Sequence, residues 1–156
     1  MKITEFLCKA AVVSDLKATT KPEVIAEMVG LLVEGGALEK KHKNKVIEVL
    51  MAREALGSTA IGQGIAIPHG KSDNTDKLVA ALAVSKSGVA FDSLDGEPAN
   101  IFFLLVAPVD SAGPHLKALA RVSRLLKDKF FRDSLKNSKT SKDIIELVSR
   151  EDARIG

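Results

Sequence analysis

The sequence has no tryptophan and no tyrosine, and apart from three histidines its only aromatic side chains are six phenylalanines. The stacking platforms used to hold bases or sugars are therefore scarce, and a core must come from Leu, Ile, Val, Ala and Phe. Cysteine occurs once, as Cys8, which excludes an internal disulfide and a cysteine-based metal cluster. A buried structural thiol in a reducing cytoplasm fits that usage. Long apolar runs are also missing. The longest, Ile101 to Val109, has nine residues, about half of the 20 or so that span a bilayer, so no direct membrane insertion is expected. Near the N-terminus, Glu5, Lys9 and Asp15 interrupt the apolar residues that an export signal would need in one block. Charge of one sign is nearly balanced, 23 Lys and Arg against 20 Asp and Glu. A net charge of +3 falls short of the usual nucleic-acid-binding excess and suits docking on an acidic or neutral protein face.

What is present is the mixture of a packed globular domain, 46% apolar and 28% charged, in 156 residues that leave no room for a second fold. Thr20-Lys21-Pro22-Glu23 reads as a helix start with Thr20 as cap and Glu23 completing a capping box. Val24, Ile25, Met28, Leu31 and Leu32 follow at helical spacing, and Gly35-Gly36 supply a left-handed stop. A second helix is expected from about Lys43, with Val46, Ile47, Leu50 and Met51 inward and its end at Gly57. Ile65-Ala66-Ile67 is a short strand-type run that Pro68 terminates, which puts His69 just past a strand end, in a turn.

Leu78 to Val84 and Ile101 to Ala107 are apolar throughout and should be central strands. Pro114 is then expected to open a helix with Leu116, Leu119, Ala120, Val122 and Leu126 as its apolar face. Thr140-Ser141-Lys142-Asp143 starts a last helix carrying Ile144, Ile145, Leu147 and Val148. Two helices, then strands, then two helices predict an α/β or α+β domain: a single-domain sandwich with a mixed β-sheet and helices on both faces.

Chemistry concentrates on histidine. His42, in Lys40-Lys41-His42-Lys43, belongs to a solvated basic turn. His69 follows a proline that restrains the backbone and precedes Gly70, which leaves the ring uncrowded on one side. A neutral imidazole, the main form at cytoplasmic pH, is a good nucleophile for phosphorus. A phosphoryl group on that ring would need cationic or N–H donors in fixed positions. Arg53 is the leading candidate, because its planar fork matches phosphate oxygens, although an arginine there also simply complements a helix dipole. His115 falls at a helix start that already favours an anion, but such a histidine is commonly an exposed neighbour of the cap.

The stretch Arg53-Glu54 and then Gly57-Ser58-Thr59-Ala60-Ile61-Gly62-Gln63-Gly64-Ile65-Ala66-Ile67-Pro68-His69-Gly70-Lys71 resembles the active-site segment of bacterial phosphotransferase-system enzyme IIA domains. The similarity is to the fructose, mannitol and nitrogen-regulatory type. It continues through Phe91-Asp92-Ser93-Leu94-Asp95-Gly96, the strand Ile101 to Pro108, and His115-Leu116 with the helix beyond. The resemblance implies an α/β sandwich in which His69 is phosphorylated through Nε2, with Arg53 and His115 beside the phosphate. It implies a donor, the carrier protein HPr or its nitrogen-branch counterpart. It also implies a downstream partner, an enzyme IIB or a regulated protein that reads the phosphorylation state. No cofactor or metal is then required; a P-loop and an acidic cluster arranged for magnesium are both missing.

Within the family, the lack of a fused IIB or membrane portion and the Gly70-Lys71 continuation favour the nitrogen-regulatory branch over sugar transport. Two readings outside it rank far behind. The basic series Lys117, Arg121, Arg124, Lys127, Lys129, Arg132, Lys136 and Lys139 is a solvated or protein-docking face before it is a nucleic-acid site. His69 with His115 lacks the third ligand that zinc would need.

Overall fold

The computed structural model describes residues 1–156. Its strands are β1 (Leu7–Val13), β2 (Ala60–Gly62), β3 (Ile65–Ala66), β4 (His69–Lys71), β5 (Val79–Val89) and β6 (Ala99–Ala107). Its helices are α1 (Lys21–Glu34), α2 (Lys43–Ala55), α3 (Ala112–Leu125), α4 (Lys129–Lys136) and α5 (Ser141–Arg154). All six strands form one sheet in the order β1-β5-β6-β3-β2, with β4 also on β6. It is a mixed sheet: β5 runs antiparallel to β6 and β2 to β3, while β1 is parallel to β5 and both β3 and β4 are parallel to β6.

The two apolar runs are central because a strand's side chains alternate between faces, and these runs offer an apolar residue to each. Leu82, Val84, Ile101, Phe103 and Leu105 pack under α3, α4 and α5. Ala81, Ala83, Phe102, Leu104 and Val106 pack under α1 and α2. Helices thus cover both faces, as the sandwich reading predicts. The two expected caps also form: Thr20 Oγ1 accepts from the Glu23 N–H and Thr140 Oγ1 from the Asp143 N–H.

Several local expectations are corrected. His69 does not lie in a turn beyond the last strand; it opens β4, paired with Leu105. Pro68 interrupts a strand that resumes after it, because β6 offers an edge long enough for both pieces. The third helix begins at Ala112, not at Pro114, and the face it turns inward is not the expected one. His115, Ala118, Val122 and Leu125 face inward, whereas Leu116 and Ala120 face out. Three helices, not two, follow the strands, since α4 separates from the basic stretch as an eight-residue helix with Phe131 and Leu135 inward. Such a length holds too few turns to show a period in sequence. β1 was not foreseen either, because its irregular register against β5 blurs the alternation that marks a strand.

Helix α2 backs β4, and the fit is tight at one point. A Cβ added at Gly70 would lie 2.9 Å from Val49 Cγ1, on a side chain stiff at χ1. Gly70→Ala should therefore destabilise the fold by about 1–3 kcal/mol through overpacking, measured by urea unfolding; the double variant Gly70→Ala/Val49→Ala should recover part of that loss.

Candidate functional site

The candidate site lies where the chain along β6 is interrupted at Ile67 and Pro68. Along one edge of β6, the chain pairs at Ile65 and Ala66 and again, in the same register, from His69, with a single bond to β6 at Pro68 between them. Pro68 has no N–H to give, and its carbonyl accepts from Leu105. The Ile67 N–H turns away to the Thr59 carbonyl, 3.1 Å distant. The Ile67 carbonyl also faces away from β6, and His69 Nδ1 lies 2.7 Å from it. A carbonyl oxygen only accepts, so Nδ1 carries the ring proton and Nε2 carries the lone pair.

Three elements bring the expected residues together. His69, from β4, is half-buried, and its ring centroid stands 5.6 Å from that of His115, from α3. Arg53, from the last turn of α2, is near enough for its charge to oppose protonation of His69. Its guanidinium Nη1 donates to the Gly57 carbonyl at 2.8 Å, which ties it across the turn leaving the helix. His115 is not an exposed neighbour of the cap. Only 6% of it is accessible, and its Nδ1 is buried without a protein partner. An orphan lone pair is better tolerated there than an orphan N–H, so the proton belongs on Nε2. His42 lies apart, in a short 3-10 turn beside Glu39.

Both site imidazoles are pushed below their ordinary pKa. For His69 burial is the main cause and the Arg53 charge adds to it, against the Ile67 hydrogen bond and the Glu54 carboxylate, which favour the protonated ring. For His115 the causes are burial, then the charges of His69 and Lys71. Neutral imidazoles beside a guanidinium form a site that offers a nucleophilic nitrogen and N–H donors to an anion. No third His, Cys, Asp or Glu joins the two rings in a metal-ligating group.

Residues 5–151 match the family model described as phosphoenolpyruvate-dependent sugar phosphotransferase system, EIIA 2. The chain belongs to this family. It is 36% identical to a nitrogen regulatory protein of Bradyrhizobium diazoefficiens over 149 residues, 96% of this chain and 95% of that one. It is also 38% identical to the fructose-specific EIIABC component of Bacillus subtilis, covering 97% of this chain but 24% of that much longer protein. Among solved structures, the nitrogen regulatory protein IIA-Ntr of Neisseria meningitidis superposes with a TM-score of 0.84 at 32% identity, over 94% of this chain and 98% of that one. Members of the EIIA 2 family are phosphotransferase components.

One buried charge in this EIIA 2 domain was not singled out from sequence. Glu54, next to Arg53, is 5% exposed. It accepts from the Thr59 N–H at 3.2 Å and from the Thr59 hydroxyl, and pairs with Lys21 Nζ at 3.1 Å. A signal existed: Val46, Leu50 and Glu54 recur every four residues, which places Glu54 on the inward face of α2.

The depressed imidazoles predict the pH dependence of stability. The unfolded chain takes up protons near 6.5, the folded one only lower, so stability is full above 6.5 and falls as pH drops through the folded values. His69→Gln/His115→Gln should lose less stability on acidification across that window, as read by thermal unfolding at each pH. In an imidazole NMR titration, Arg53→Met should raise the His69 midpoint, and an unchanged midpoint would refute the electrostatic role given to Arg53.

Proposed function

We propose that this EIIA 2 domain is a phosphoryl carrier in which His69 takes the group on Nε2 from a phosphorylated HPr, or its nitrogen-branch counterpart, and hands it on. The observation that carries the reading is the Nδ1 contact to the Ile67 carbonyl, which holds the Nε2 lone pair available beside Arg53 and His115. In the transfer, Nε2 attacks phosphorus as the bond to the donor's nitrogen breaks on the opposite side. Arg53 and the His115 Nε2–H meet the charge on the phosphoryl oxygens. Charge on the phosphohistidine is balanced by the guanidinium, and positioning supplies the remainder of the rate.

Exposed apolar side chains next to this site favour a protein as the reacting partner. Leu116, which follows His115, is 66% exposed, and Leu56, within the turn that Arg53 spans, is 85% exposed. A carrier fed from phosphoenolpyruvate works in the cytoplasm, a compartment that also suits the one free cysteine. As to branch, we favour a regulatory role in which partners read the phosphorylation state, with enzyme IIB as the acceptor in the sugar-transport alternative. Similarity to nitrogen regulatory proteins over nearly the full length of both chains supports that choice.

Incubation with phosphoenolpyruvate, enzyme I and HPr should add one acid-labile phosphoryl group by intact mass, and His69→Ala should abolish it. Persistent stoichiometric labelling of His69→Ala would refute the assignment. For the branch, pull-downs with the phosphorylated and unphosphorylated forms should recover different partners; recovery of a sugar-specific IIB alone in both states would overturn the regulatory role.

A further inference from the structure

Two arms, one of hydrogen bonds and one of backbone, lead from the buried Glu54 carboxylate toward the two ends of the site. The first passes through Thr59, whose N–H and hydroxyl both donate to Glu54. The Thr59 carbonyl accepts from the Ile67 N–H, and the Ile67 carbonyl holds His69 Nδ1. The second arm is the turn itself, because the Gly57 carbonyl that holds the Arg53 guanidinium lies two residues before Thr59. Glu54 thus pins the far end of the segment on which both groups depend. On its other side it meets Lys21, which also pairs with Asp92 at 3.1 Å and stands 4.7 Å above the Phe91 ring. Desolvating a carboxylate is costly unless it is paired and hydrogen-bonded, and Glu54 is both.

We propose that Glu54 is a positioning residue for phosphoryl transfer, aligning the His69 nucleophile through Thr59 and Ile67 and the Arg53 anion receptor through the Gly57 turn, with Lys21 as its counter-charge. The inference rests on the carrier reading. Glu54 itself does not touch the phosphoryl group; it acts through the groups that do. Glutamine at this place would keep the volume but remove the charge that Lys21 matches, and its amide N–H would force the Thr59 hydroxyl to turn from donor to acceptor. The Glu54 charge also favours the protonated His69 ring, so its removal should lower the His69 midpoint further.

The test compares Glu54→Gln, Thr59→Val and Thr59→Ser in the full chain. At saturating phospho-HPr, Glu54→Gln and Thr59→Val should slow transfer to His69 by about 10- to 100-fold, the cost of a small misplacement of reacting groups, with the donor KM little changed. Thr59→Ser, which keeps the hydroxyl, should transfer at close to the parent rate. In imidazole NMR without any donor, Glu54→Gln should shift the His69 ring signals and lower their titration midpoint. Variants that melt earlier yet keep the parental transfer rate and His69 signals would overturn the positioning role. Failure of the unsubstituted chain to be labelled would instead overturn the carrier reading, while the NMR comparison still decides whether Glu54 aligns His69.

Discussion

The candidate site depends on the contact between the Ile67 carbonyl and His69 Nδ1. Backbone groups alternate in direction along a strand, so the Pro68 carbonyl faces β6, where Leu105 donates to it, and the Ile67 amide and carbonyl face the opposite side. There the amide goes to Thr59 and the carbonyl to the imidazole, while Pro68, which has no N–H, gives β6 no donor. The Ile67 carbonyl therefore sets which ring nitrogen carries the lone pair. Pairing resumes at His69, so the ring stands on sheet rather than on a loop. Elements of a sheet hold geometry more closely than loops do, which matters where a fraction of an ångström changes a rate.

The charges around this break are arranged in alternation. Arg53 opposes protonation of His69 and remains available to an anion, while Glu54, the next residue, is turned inward and matched by Lys21. Burial works in the same sense as Arg53, so the neutral form of both imidazoles is favoured.

Much of this was legible from particular residues. The apolar runs of β5 and β6 and the caps at Thr20 and Thr140 announced the sandwich, because burial on both faces and helix initiation have local signatures. Pro68-His69-Gly70 stood out for the same reason. His115 did not reveal its burial, since the face that α3 turns to the sheet is set by packing, which takes His115, Ala118, Val122 and Leu125 inward and leaves Leu116 exposed. Strand β1 and helix α4 were hidden by an irregular register and by shortness.

The sequence by itself determined the residue types, the break at Pro68, the glycine that lets β4 lie against Val49, and the family to which the chain belongs. The break and the glycine are properties of short segments, which carry their own steric rules, whereas the family is read along residues 5–151. Only the tertiary structure decided that α2, β4 and α3 converge, that His115 Nδ1 is buried without a partner, and that Glu54 reaches His69 through Thr59 and Ile67. Those relations join residues far apart in the chain, and they arise from how two helical layers and one sheet edge close around a common core.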